Sequence, residues 1–166
     1  MSFMMEAVNG NQGGAMPEST GPDTGGLGMA MSYRIKRMGA RPLVFQGTEL
    51  AMAMSFTPEL PYWYEINLFR TTDQHFVLAI KLFYQSANEK DTAQVWKYET
   101  IDQALDTLET YDAGQDVRVT VNPADTSLTA AELAAYAMDL SAKTKAARAH
   151  YAGLAGEFLH EIEQPN

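Results

Sequence analysis

The stretch Tyr62–Tyr84, YWYEINLFRTTDQHFVLAIKLFY, leaves this chain few folds to choose from. Two dense apolar and aromatic runs flank a short polar break, Thr71-Thr72-Asp73-Gln74, which is the pattern of a β-hairpin. Side chains alternate across a strand, so the two faces are read separately. Tyr62, Tyr64, Ile66 and Leu68 share one face with Phe76, Leu78, Ile80, Leu82 and Tyr84, and this face is the expected core. The other face is mixed. It carries Trp63, Glu65, Asn67 and Phe69 on the first strand, and His75, Val77, Ala79, Lys81 and Phe83 on the second. A solvated face does not normally hold three large aromatics, so something is expected to cover part of it. On this reading Leu78→Ala should cost more stability than Val77→Ala.

The flanking segments extend the sheet. YRIKRMGAR places Arg34, Lys36, Arg37 and Arg41 in one basic stripe with no acid among them. Such a stripe suits an edge strand, where cations discourage pairing, or a contact for phosphate or an acidic partner. In PLVFQGTELAMAMSF the apolar parity switches near Gly47, from Leu43 and Phe45 to Leu50, Met52, Met54 and Phe56. That predicts a bulge there or two separate strands. After the hairpin, TAQVWKYE reads as a strand with Trp96 and Tyr98 on one face and Val95 and Lys97 on the other.

Helix signals follow. Thr100 and Gln103 have capping-box spacing ahead of an apolar stripe of Ile101, Ala104, Leu105 and Leu108, and Gly114 is read as the terminator. VRVTV is expected to be a short strand or extended segment. Thr129 and Glu132 form a second capping box. Nothing forbids helix from Ala130 to about Ile162, with Gly153 and Gly156 as places for a kink or a close approach. Leu133, Ala137, Leu140, Thr144, Ala147, Tyr151, Leu154 and Phe158 follow a heptad-like seam. This helix is longer than the strands beside it, so part of it should project. The expected fold is α+β: an antiparallel sheet of four to five strands, one packed short helix and a long C-terminal helix. Residues 1–31, rich in Gly, Met and Ser and without Lys or Arg, are expected to be a disordered or extended tail. The body runs over 32–128 and the long helix over 129–166.

Composition narrows the function more than it defines it. A net charge of −9 argues against a generic nucleic-acid binder, and the lack of Cys removes disulfides and thiolate metal sites. No apolar run approaches the ~20 residues that span a bilayer, and no signal peptide is evident. The expectation is a cytoplasmic protein. No Walker loop, dinucleotide fingerprint or nucleophile elbow is present. Glu157, His160 and Glu163 are spaced for a shared helix face but sit at an exposed end, and a solvated surface is expected there, with no metal and no cofactor. Glu65 with His75 is the one acid–base pair the mixed face offers.

These features support a non-catalytic interaction or assembly protein. It would form a homo-oligomer or dock on a protein partner through two surfaces. One is the helix seam: Leu133, Ala137, Leu140, Ala147, Tyr151, Leu154 and Phe158. The other is the sheet face of Trp63, Phe69, Lys81, Phe83 and Lys97. The alternative is single-stranded nucleic-acid binding on that open face, with bases stacked on its aromatics. A small enzyme of unknown reaction ranks third.

Overall fold

The computed structural model describes residues 29–164. The bulk of the expected tail, residues 1–28, lies outside the described residues. Five strands follow in chain order: β1 (Met31–Arg37), β2 (Ala40–Met54), β3 (Tyr62–Thr71), β4 (Phe76–Tyr84) and β5 (Thr92–Tyr98). Two helices follow them, α1 (Ile101–Thr110) and α2 (Ala130–Glu163). The strands form one antiparallel sheet in sequence order. The β3–β4 hairpin closes at the expected break. Thr71 exchanges bonds with His75, and Gln74 takes a left-handed φ of 65°. The basic segment is the edge strand β1 and its turn.

The parity switch in β2 has a single physical cause. The β2–β3 register shifts between Glu49 and Ala51, past the Gly47 position expected from the sequence. The extra residue, Leu50, keeps the apolar set on one face: Leu43 and Phe45 before the bulge, Met52 and Met54 after it. Ala51 and Ala53 turn to the opposite face and pack against the main core. β2 is thus one strand and not two. Gly47 stays a glycine for another reason: a Cβ there would stand 2.3 Å from the Arg70 carbonyl oxygen.

The main core forms as expected from the hairpin. Tyr64, Ile66, Leu68, Leu78, Ile80 and Leu82 pack under Ala104 and Leu108 of α1 and under Tyr151, Leu154, Ala155 and Phe158 of α2. The opposite face is not open along its length. The sheet curls, and the β1–β2 turn reaches across to β5, where the Met38 N–H donates to the Ala93 carbonyl at 3.1 Å. Inside the curl a second core forms around Ile35, Phe69, Val77, Ala79 and Val95, lined by Tyr33, Leu43 and Phe45. Val77 is therefore as deeply buried as Leu78, both at 0% exposure, which removes the expected contrast between the two faces.

Both capping boxes are formed, at Thr100–Gln103 and Thr129–Glu132. Gly114 does not terminate α1, which ends at Thr110 with Tyr111 extended. It lies instead in a separate 3-10 turn, Ala113–Asp116, capped by the Asp112 side chain. VRVTV forms no strand and begins and ends in bends at Val117 and Val121. The 34-residue α2 is unbroken through Gly153 and Gly156. It is about 50 Å long at 1.5 Å per residue, and its buried positions begin only at Ala147. The N-terminal half projects, with segment 117–128 beside it. The Thr120 N–H donates to the Tyr136 hydroxyl at 2.8 Å. No helix among the described residues is long and apolar enough to cross a membrane.

Candidate functional site

The residues singled out from the sequence do not gather in one place. Phe69 lies in the second core, ringed by Tyr33 at 4.7 Å and Phe45 at 5.3 Å. Lys81 is buried, and its ammonium bonds Glu65 at 2.8 Å. Lys97 sits on the rim and bonds Asp73 at 2.8 Å. That contact and the Thr71 hydroxyl hold the Asp73 carboxyl well below the usual range. The expected Glu65–His75 pair does not form. Glu65 is spent on Lys81, and His75 lies in the hairpin turn beside Asp73 at 3.2 Å. In the basic stripe Arg37 Nε donates to the backbone carbonyl of Arg41 at 2.8 Å. Arg34 and Lys36 stand on the exposed side of β1. The α2 seam divides in the same way. Ala147, Tyr151, Leu154 and Phe158 are buried within the chain, Leu133 and Leu140 are half-buried, and Ala137 is exposed. Among the described residues no three His, Asp or Glu gather in a way that could hold a metal ion.

Trp63 and Phe83 sit together at the far end of the concave face, stacked with centroids 5.5 Å apart. Phe56 meets Trp63 edge-on at 5.3 Å. Met52, Met54 and Phe56 continue the row along β2, and they are 46%, 48% and 51% exposed. A lone exposed apolar side chain is ordinary, but a contiguous row is not. The row borders a groove in which Met54 and Phe56 face Ala149 and Gly153 of α2. The alternation of this row is present in the sequence, but which face it takes depends on the bulge after Glu49. The facing of the row therefore had to wait for the register.

The same groove holds a Ser–His contact that no spacing rule announces, since the two residues are 95 positions apart. His150 Nε2 lies 2.8 Å from Ser55 Oγ, and that oxygen also accepts the Tyr64 N–H at 2.9 Å. Burial pushes the His150 pKa down, which favours the neutral imidazole. A hydrolytic site would need a group orienting the imidazole and donors for an oxyanion. Neither is among the contacts of these two residues. The pair ties the end of β2 to α2.

A third feature was missed entirely. Asp116 accepts the Tyr64 hydroxyl at 2.7 Å and the Tyr111 hydroxyl at 2.8 and 2.9 Å. Burial raises its pKa, and the same burial and the nearby carboxylate push both tyrosines far up. Asp116 forms part of a cleft of about 440 Å³ between the end of the hairpin, the segment after the 3-10 turn and α2. Tyr62, Tyr84 and Leu82 contribute its walls, and Arg118 and Lys143 sit among its lining. Tyr64 was legible only as a core residue, because its partner lies 52 positions away. No family model, curated protein or solved structure matches this chain.

Proposed function

We propose that this chain is a non-catalytic assembly protein that self-associates through the exposed row of Met52, Met54 and Phe56, with Trp63 at its end and Ala149 and Gly153 of α2 bordering it. The observation that carries the reading is the row itself, half-exposed and continuous with an aromatic pair. The edge of β2 adds to it. β1 pairs with β2 only as far as Gly47, so among the described residues Glu49–Met54 has β3 on one side and no strand on the other. An unpaired edge invites another strand. A second copy of the chain fits this surface because antiparallel pairing about a twofold axis sets the same edge and the same apolar row against themselves. The seam on α2 is available to such a contact only at Leu133, Ala137 and Leu140, since its later positions serve the chain's own core.

The mass of the chain in solution, by light scattering over a range of concentrations, tests the reading. The expected result is a dimer or higher oligomer that Met54→Lys with Phe56→Lys converts to a folded monomer. A monomeric wild type at all concentrations, or an oligomer untouched by the double substitution, overturns it. Single-stranded nucleic acid ranks second, favoured by the stacked Trp63–Phe83 pair. It is weakened because Lys81 and Lys97 already hold carboxylates. Quenching of Trp63 fluorescence on titration with an oligonucleotide is its signature.

A further inference from the structure

We propose that the cleft beside Asp116 binds a small organic ammonium ion, a primary amine carrying an apolar or aromatic body. This site is separate from the proposed assembly surface and does not depend on it. Its volume of about 440 Å³ lies in the range of small-molecule sites. Charge accounting selects the ligand. Arg118 is committed: it pairs with Glu89, donates to the Lys90 carbonyl at 3.1 Å and lies 5.1 Å over the Tyr84 ring. Lys143 bonds Asp139 at 2.7 Å. Asp116 alone among these charged groups has no cation. Its partners are two neutral phenols, which donate to the carboxylate and leave its negative charge uncancelled. A partly buried carboxylate without a counter-ion, in a cleft that Tyr62 also lines, attracts a cation through its charge and an aromatic body through the apolar lining. An ammonium group on an apolar body would set its charge at Asp116 and its body against Leu82 and the tyrosines.

Isothermal titration calorimetry of the full chain at neutral pH tests this. Phenethylammonium serves as the probe, with benzoate and benzyl alcohol as the anionic and neutral aromatic controls. The expected result is saturable binding of phenethylammonium, at least about tenfold tighter than either control. Asp116→Asn keeps an acceptor for the two phenols and removes the charge, and should weaken binding by about tenfold or more. Ala146→Trp, on an exposed helix position at the cleft, leaves Asp116 intact and should block the body of the ligand. It decides the matter should Asp116→Asn fail to fold. No saturable binding of phenethylammonium below about 10 mM, benzoate binding as tightly, or a folded variant binding like the wild type would each overturn the proposal.

Discussion

Asp112 shows how much a single exposed side chain can organise. Its carboxylate caps the 3-10 turn through the Gly114 N–H and takes a two-pronged contact from Arg148 at 2.7 and 2.9 Å, tying that turn to α2. Arg148 and the Gly114 N–H hold its pKa down, to about 2 from an ordinary 3.8. The folded state therefore binds fewer protons here than the unfolded chain, so this contribution is present above about pH 4 and fades as pH falls toward about 2. Asp112→Asn should lower the urea midpoint at pH 7 and leave it near the wild-type value at pH 2. Asp116 acts in the opposite sense. Burial raises its pKa, so the folded state holds the proton more tightly and this contribution is lost as pH rises above the ordinary carboxylate value of 3.8. Val77 gives a second residue-scale test. Buried inside the curl, it should lose about 1.5–3 kcal/mol on truncation to Ala. Leu78→Ala on the helix-covered face should lose about 2–5 kcal/mol. Chemical denaturation of both variants checks this, and a negligible cost for Val77→Ala would mean that the curl does not close over β4.

Among the elements, α2 divides most sharply. Thr129 and Glu132 start it, and nothing in its sequence marks where its role changes. The change comes from what lies beneath. From Ala147 onward the helix rests on the sheet and α1, with the Tyr151 hydroxyl donating to the Leu108 carbonyl at 2.7 Å. Before that it packs more lightly, with Tyr136 taking the Thr120 and Val121 N–H groups and Thr144 lying beside Gly114. Phe158→Ala should therefore cost about 3–5 kcal/mol, and Leu133→Ala well under half of that. Equal costs in a denaturation series would place the first half of α2 in the same core as the second. Leu154, buried at 3% exposure, belongs with Phe158. A Lys there tests folding and says nothing about assembly, whereas Leu140 lies on the projecting half.

The whole molecule is a sheet covered on both sides by different means. Helices cover one face, and the sheet's own curl covers part of the other. β4 lies at the centre of both layers and its residues from Val77 to Leu82 are all buried. Native-state hydrogen exchange should show the β4 amides as the slowest in the chain and those of the projecting turns of α2 among the fastest of the helical set. Slowest exchange in α2 would mean that the stable unit is centred on the helix rather than on the hairpin.

Local chemistry in the sequence by itself determined the hairpin and its turn, the core face of Tyr64, Ile66, Leu78 and Ile80, both capped helices and the projection of α2. These follow from periods and caps that act over a few residues. The bulge was legible as a change of parity, but its place between Glu49 and Ala51 was not, because register depends on the partner strand. Only the tertiary structure decided the rest. The curl turned the mixed face into a second core and withdrew Phe69 and Lys81 from the surface. It left Trp63 and Phe83 together at the other end. The meeting of Asp116 with Tyr64 and Tyr111, and of Ser55 with His150, has no signature along the chain. Those contacts exist because two faces of one sheet and two distant segments were brought within a few ångströms, and that proximity is set by packing rather than by spacing.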